Sequence, residues 1–181
     1  SNIDLLEKYQ YIGFRHLLTK GNIMDFDLLF EEFPKRIIPY DYDAYAKNSG
    51  RYEMVTTNCT TGCAEYFEEK SDPERIIDIV RASSSLPFVT PISYVDGRPM
   101  LDGGIADSIP VVRATEQGFD NCLVVLTRNA GYRKSAKPSF VPWFAYRRYP
   151  MLQEAIRHRN AEYNKQMELV ERLESEGRIT V

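Results

Sequence analysis

The apolar run Leu123-Val124-Val125-Leu126 constrains the fold most strongly, because four consecutive apolar residues bounded by polar ones are typical of a strand buried on both faces. Helices are predicted before and after this run, and helices interleaved with a buried strand indicate an α/β layered domain. A doubly wound sheet normally contains several such runs, whereas this sequence offers one. Either further central strands escape this pattern, or they lie outside the 181 residues.

Two β-hairpins are predicted from glycine-containing turns between strand-like segments. The first turn is Thr61-Gly62, between residues 52–57 and 64–67, and the second is Asp96-Gly97, between residues 92–95 and 98–101. The second hairpin leads directly into Asp102-Gly103-Gly104.

Helices are predicted where apolar residues recur at spacings of three and four. They are placed at residues 3–20, from the N-cap Asp25 to Pro34, from Asp41, from Pro73, from Pro110 to Gly118, and through the last third of the chain. The last of them has the clearest apolar stripe, formed by Leu152, Ile156, Tyr163, Met167, Val170 and Leu173. Residues 179–181 are predicted to begin a strand.

Composition and charge fit one globular domain over residues 1–181 and exclude several classes of function. The net charge is −3, so no general affinity for nucleic acid is expected. Three cysteines and two histidines make a poor ligand set, and neither a metal nor a cofactor is predicted. No apolar run approaches the roughly 18 residues of a membrane span, and no signal peptide is evident, so a cytoplasmic location is expected.

Two segments carry the pattern that indicates a function. Arg81-Ala82-Ser83-Ser84-Ser85-Leu86-Pro87-Phe88 precedes the second hairpin, and Leu101-Asp102-Gly103-Gly104 continues to Asp107-Ser108-Ile109-Pro110. In this order and spacing the chain resembles the patatin-like phospholipase family, and its bacterial branch in particular. That family has an Ala-Ser stretch ending in proline before an Asp-Gly-Gly or Asp-Gly-Ala motif. The resemblance extends along nearly all of the chain.

The resemblance implies a layered α/β fold with a mostly parallel central sheet and added β-hairpins, incomplete in this chain. It implies hydrolysis of lipid or other acyl esters by a Ser-Asp dyad, with Asp102 as the general base. Gly103 and Gly104 would let the backbone turn sharply beside it. A serine hydroxyl is a poor nucleophile until a base accepts its proton. A carboxylate can be that base where apolar surroundings raise its proton affinity.

Asp102 also has a plainer interpretation, because an aspartate before glycine commonly bonds to its own turn. The flanking segments favour the catalytic interpretation for Asp102, whereas Asp96 is assigned a structural role. Ser108 lacks a Gly-x-Ser-x-Gly elbow, so Asp107 or Ser108 is expected to cap the helix at Pro110. A metal-binding pair of Asp102 and Asp107 is disfavoured, because no further acidic cluster supports it.

Two other features of the sequence have functional interpretations. His16 and His158 invite a Ser-His-Asp interpretation, which is disfavoured because a Ser-Asp dyad needs no histidine. A basic stretch contains Arg133, Lys134, Lys137, Arg147 and Arg148 with Trp143, Tyr146 and Tyr149 interleaved. It is either a solvated face with aromatic side chains packed beneath it, or a peripheral surface that attracts anionic lipid.

Two parts of the family's active site have no counterpart in the sequence: the Gly-rich oxyanion loop and the Gly-x-Ser-x-Gly elbow. The chain is therefore expected to be the C-terminal part of a longer domain, beginning after the nucleophile and ending before the last strand. Uncovered sheet edges would make it self-associate or pair with the missing N-terminal segment. No esterase activity is expected from the chain alone, and a non-catalytic patatin-like interaction module is the alternative.

Overall fold

The computed structural model describes residues 25–119 and 121–181. The helix expected over residues 3–20, and His16 within it, lie outside these residues. The described residues form two compact units. Unit 1 contains the described residues up to Thr56 together with Tyr66–Asp102, and unit 2 contains Thr57–Glu65 together with Gly103–Val181.

A four-stranded sheet contains both predicted hairpins, which are confirmed. Its strands are β1 (Glu53–Asn58), β2 (Ala64–Glu68), β3 (Ser93–Val95) and β4 (Arg98–Asp102), in the spatial order β2-β1-β4-β3. Strands β3 and β4 pair antiparallel, with Ser93 opposite Met100. Asp96 and Gly97 between them have φ values of 51° and 74°, the pair of left-handed conformations that a tight two-residue turn requires.

The sheet differs from the expected mostly parallel one, because the four-stranded sheet is antiparallel. Parallel pairing occurs between two short strands of unit 2, β5 (Cys122–Leu123) and β6 (Ile179–Thr180). The mixture of helices and strands still agrees with an α/β domain.

The expectation of a strand buried on both faces at residues 123–126 is wrong. Leu123 is 72% exposed and Val125 is 81% exposed, while Val124 and Leu126 pack against the core of unit 2. Successive side chains of an extended segment point to opposite faces, and among the described residues one face of this segment is covered.

The described residues of unit 1 form three helices: α1 (Leu28–Ile37), α2 (Tyr42–Lys47) and α3 (Pro73–Ser83). Local capping confirms where two of them begin. The Asp41 carboxylate accepts from the Ala44 N–H at 2.8 Å, and that of Asp72 accepts from two N–H groups, those of Glu74 and Arg75.

The prediction that Pro34 ends the first helix is wrong, because α1 continues through Pro34 to Ile37. Its hydrogen bonds have the wide π-helical spacing, as in the bond from Ile38 N to the Phe33 carbonyl at 2.9 Å. Such widening disturbs the regular helical hydrogen bonding, and a proline is tolerated at such irregularities.

Each unit has its own apolar core. In unit 1, α3 packs on the sheet through Met54, Phe67, Ile79, Ala82, Val95 and Met100. Unit 2 is organised by the long helix α5 (Pro150–Ser175), and all six residues of its predicted stripe are buried. The short helix α4 (Val111–Glu116) contributes Val111 to the same core. The stripe prediction is confirmed because a helix that covers a core must bury one face.

Candidate functional site

Asp102 is the last residue of β4, and the main chain fixes its position within unit 1. The Asp102 N–H donates to the Ser85 carbonyl at 2.8 Å. Met100 and Leu101, just before it in the strand, are fully buried, whereas Asp102 itself is half-buried. The hydrogen bond joins the two segments on which the resemblance rests, although many residues separate them in sequence.

Ser85 links the end of β4 to α3 and β3 through hydrogen bonds. Its side chain is fully buried. Its hydroxyl lies 2.8 Å from the Arg81 carbonyl, to which it donates, and 2.8 Å from the Ser93 hydroxyl. These contacts connect the end of α3 with the start of β3. A hydroxyl with two partners and no solvent exposure is positioned for structure, so Ser85 is not a candidate nucleophile.

Behind this segment, Arg81 is anchored to α1. Its guanidinium forms an ion pair with Glu31 at 2.5 Å, and Lys35 pairs with the same carboxylate at 2.7 Å. The hydrogen bond from Lys35, followed by the charge and hydrogen bond of Arg81, lowers the pKa of Glu31. Glu31 is therefore ionised at neutral pH and holds the end of α3 against α1.

Immediately after Asp102 the chain enters unit 2 and turns. Gly103–Ile105 form one turn of 3-10 helix, in which Gly103 is buried and Gly104 half-buried. The Gly103 carbonyl accepts from the N–H groups of Ala106 at 3.1 Å and Asp107 at 2.8 Å. The Ser108 hydroxyl donates to the Gly104 carbonyl at 2.8 Å. The predicted supporting role of Gly103 and Gly104 remains a prediction.

The expectation that Asp107 or Ser108 caps the next helix is wrong, because Pro110 occupies the N-cap position of α4. The buried Asp107 carboxylate instead accepts from Gln166 Nε2 at 2.8 Å. Gln166 Oε1 accepts in turn from the Ile109 N–H at 3.0 Å. Gln166 of α5 thus holds the turn at both ends. Sequence reasoning missed Gln166, since a polar residue beside an apolar stripe carries no local signal of its partner.

Two further side chains carry groups that can act in catalysis, the imidazole of His158 and the thiol of Cys59. His158 is exposed on α5, with Nδ1 3.2 Å from Glu154 Oε1. Cys59 is fully buried, and burial raises the pKa of its thiol to about 12, which makes it a poor nucleophile.

Among residues 25–119 and 121–181, no three His, Cys, Asp or Glu side chains come together as a metal-binding group. Within the same ranges, every helix is too short or too polar to span a bilayer.

The basic stretch does not have all its aromatic side chains packed beneath it, which corrects the simpler interpretation. Trp143 is 74% exposed, whereas Tyr146 and Tyr149 are half-buried. The Arg147 guanidinium lies over the Trp143 ring, 5.3 Å from its centroid.

Comparison with known proteins agrees with the resemblance. A family model described as patatin-like phospholipase matches residues 4–115, a range that includes Asp102 and both flanking segments. A curated relative, "Uncharacterized protein YjjU" of Escherichia coli (strain K12), is 32% identical over 111 residues. The matched residues are 59% of this chain and 30% of the relative, so the match covers less than a third of that protein.

Proposed function

Because the chain belongs to the patatin-like phospholipase family, we propose that it is the aspartate-bearing portion of a lipid acyl hydrolase. In this proposal Asp102 is the general base of a Ser-Asp dyad. The observation that supports it is the hydrogen bond from Asp102 N to the Ser85 carbonyl. This bond fixes the aspartate at a strand end, half-buried, against the segment that precedes it in the family pattern.

The chemistry needs a carboxylate held still beside a serine. Asp102 takes the proton of the serine hydroxyl as its oxygen attacks the ester carbonyl carbon, and the alcohol leaves with that proton. Asp102 then takes a proton from water as the water oxygen attacks the acyl-enzyme carbonyl carbon. It passes that proton to the serine oxygen as the fatty acid leaves. A base at the end of a strand suits this role, because a rigid element holds the carboxylate in a fixed position and orientation relative to the serine.

The nucleophile in this proposal comes from polypeptide outside the 181 residues, because no Gly-x-Ser-x-Gly occurs in the sequence. Two serines near Asp102 in the sequence, Ser85 and Ser108, have hydroxyls engaged with main-chain carbonyls. We therefore predict no turnover of a short p-nitrophenyl ester by this chain alone. Turnover that disappears in Asp102→Ala would contradict the missing nucleophile.

The decisive test uses a polypeptide that carries this chain together with a family elbow and oxyanion loop. Asp102→Asn should lower kcat/KM for ester hydrolysis by roughly 10²- to 10⁴-fold, the usual contribution of a general base. Asp96→Asn is the matched control, since it also removes a carboxylate before a glycine, and it should retain activity. Equal activity of Asp102→Asn and wild type, with the thermal midpoint unchanged, would refute the proposed role.

The second candidate is a non-catalytic patatin-like interaction module. The open reading frame that encodes the chain separates the two. An elbow and a Gly-rich loop upstream support the hydrolase, and their absence supports the interaction module.

A further inference from the structure

Unit 2 displays three large aromatic side chains on one short loop. Phe140 is 83% exposed, Trp143 is 74% exposed and Phe144 is 64% exposed. The rings of Trp143 and Phe144 meet edge to face, with centroids 5.9 Å apart. Single exposed apolar residues are ordinary, but a cluster of exposed aromatic residues marks a surface that binds another molecule or a membrane.

The loop is held in place, so the exposure is a property of a fixed structure. Val141, between the exposed aromatic residues, is buried. The Ser139 N–H donates to the Arg157 carbonyl at 3.0 Å, and Gln153 Nε2 donates to the Ala145 carbonyl at 2.6 Å. Both Arg157 and Gln153 belong to α5. A loop anchored in this way loses little conformational freedom when its aromatic side chains bind.

The charge around the loop has one sign. Residues 121–153 contain six Lys or Arg and no Asp or Glu, in a chain whose net charge is −3. Arg133 is engaged within unit 2, paired with Glu171 at 2.6 Å. Lys137, Arg147 and Arg148 are exposed, and their side chains form no ion pair with any residue in the described ranges. These three cations remain available to an anionic partner.

We propose that Phe140, Trp143, Phe144, Arg147 and Arg148, together the aromatic–basic surface, dock onto an anionic lipid bilayer. Tryptophan and phenylalanine insert at the level of the headgroups, and arginine beside them reaches lipid phosphates. The stacking of Arg147 on Trp143 at 5.3 Å places a cation and an indole in one unit suited to that boundary. A second copy of the chain fits this surface poorly, because two copies of it would bring like charges together.

This proposal rests on the proposed function, because a lipid acyl hydrolase must reach esters that lie in a membrane. Binding is measured here without hydrolysis. In the longer polypeptide that carries the elbow, ester hydrolysis that does not depend on Asp102, with vesicle binding retained, would count against the proposed function alone. Hydrolysis that depends on Asp102, without vesicle binding, would count against membrane docking alone.

Trp143 is the single tryptophan of the chain and serves as the probe. With vesicles of phosphatidylcholine and 30% phosphatidylglycerol at low salt, the Trp143 emission should shift to shorter wavelength. Brominated acyl chains should quench it. The shift should weaken at high salt, because screening removes the attraction of exposed charges. Vesicles of phosphatidylcholine alone should give little shift.

Variants separate the charge contribution from the aromatic one. Arg147→Glu with Arg148→Glu should weaken co-sedimentation with the anionic vesicles on the order of 100-fold. Lys47→Glu with Lys165→Glu is the matched control, because it changes the net charge equally on other surfaces. Trp143→Ala with Phe144→Ala should also reduce co-sedimentation, whereas Tyr94→Ala removes an exposed aromatic side chain elsewhere and should not.

Two results would overturn the proposal. One is an unchanged Trp143 emission with the chain left in the supernatant at low salt. The other is a shift that grows with protein concentration in the absence of vesicles, which would assign the surface to a second copy. Circular dichroism of each variant checks that folding is retained, and quenching of the wild-type chain needs no variant.

Discussion

At the scale of single residues, Asp96 and Asp102 show how one dipeptide serves two purposes. Both precede a glycine, but Asp96 lies in a hairpin turn, where Arg75 donates to both of its carboxylate oxygens at 3.0 Å. That hydrogen bonding is the main reason the pKa of Asp96 is lowered. Asp102 lies at a strand end and is fixed through its main chain. The surroundings of each aspartate separate the two, because they share only the Asp-Gly dipeptide.

Gly62 carries a prediction that also belongs to single residues. It has a φ of +71°, and a Cβ there would lie 2.6 Å from the main-chain oxygen of Met151. Gly62→Ala should therefore lower the free energy of unfolding by about 3 kcal/mol, from the left-handed backbone and the steric contact together. Urea titration measures this.

Gly177→Ala is the matched control for that change. Gly177 has a φ of +70° but nothing within 4 Å of a Cβ, so about 1 kcal/mol is expected. Equal losses in the two variants would show that the approach of Met151 to the hairpin turn does not matter.

At the scale of elements, a cluster of charges joins the end of β2, the start of α3 and the β3–β4 turn. Arg75 pairs with Glu69 at 2.7 Å and with Asp96 at 3.0 Å. Glu69 also accepts from the N–H and the hydroxyl of Ser71, each at 2.8 Å. The hydrogen bonds from Ser71, followed by that from Arg75, lower the pKa of Glu69 to about 2.

That lowered pKa predicts a dependence of stability on pH. A carboxyl group whose pKa falls on folding stabilises the protein above its unfolded pKa, and the stabilisation is lost as the pH falls through the folded value. The contribution of Glu69 should therefore be complete above about pH 4.5 and disappear towards pH 2. After allowance for solvent screening we expect about 1 kcal/mol. Glu69→Gln should remove it at pH 7 and change little near pH 2, as measured by urea midpoints.

Glu68→Gln, at the neighbouring position, is the control. Its carboxylate pairs with Arg51 at 3.1 Å on the surface, where an ion pair contributes less than about 1 kcal/mol. A Glu69→Gln variant as stable as wild type at pH 7 would contradict the importance of the cluster.

At the scale of the whole molecule, the exposed face of residues 123–125 predicts association. Leu123 and Val125 point away from the core of unit 2 and border an apolar hollow of about 260 Å³ that Ile109 and Val111 also line. Apolar surface beside a strand edge favours pairing with another chain. We therefore expect sedimentation of the chain to show a mass above that of the monomer, rising with concentration.

Leu123→Lys with Val125→Lys should shift that equilibrium towards the monomer, because lysine protects strand edges. Tyr94→Lys changes an exposed side chain of unit 1 and should leave the mass unchanged. A wild-type chain that remains monomeric at high concentration would contradict the prediction.

The sequence by itself determined the features that depend on neighbours in the chain. Both hairpins, the helix starts at Asp41 and Pro73, and the buried stripe of α5 follow from turn chemistry, helix-start signals and helical spacing. The Asp102 segment also carried enough of the family pattern to indicate the family. These features were predictable because the interactions that produce them lie within a few residues.

Only the tertiary structure decided which groups meet across long stretches of sequence. It joined Asp102 to Ser85, placed Gln166 between Asp107 and Ile109, and left Leu123 exposed. The sequence shows the same residue whether a carboxylate or an apolar side chain contacts a distant element or solvent. The partner is set by packing, so the part of the site that depends on partners could not be predicted from residue patterns.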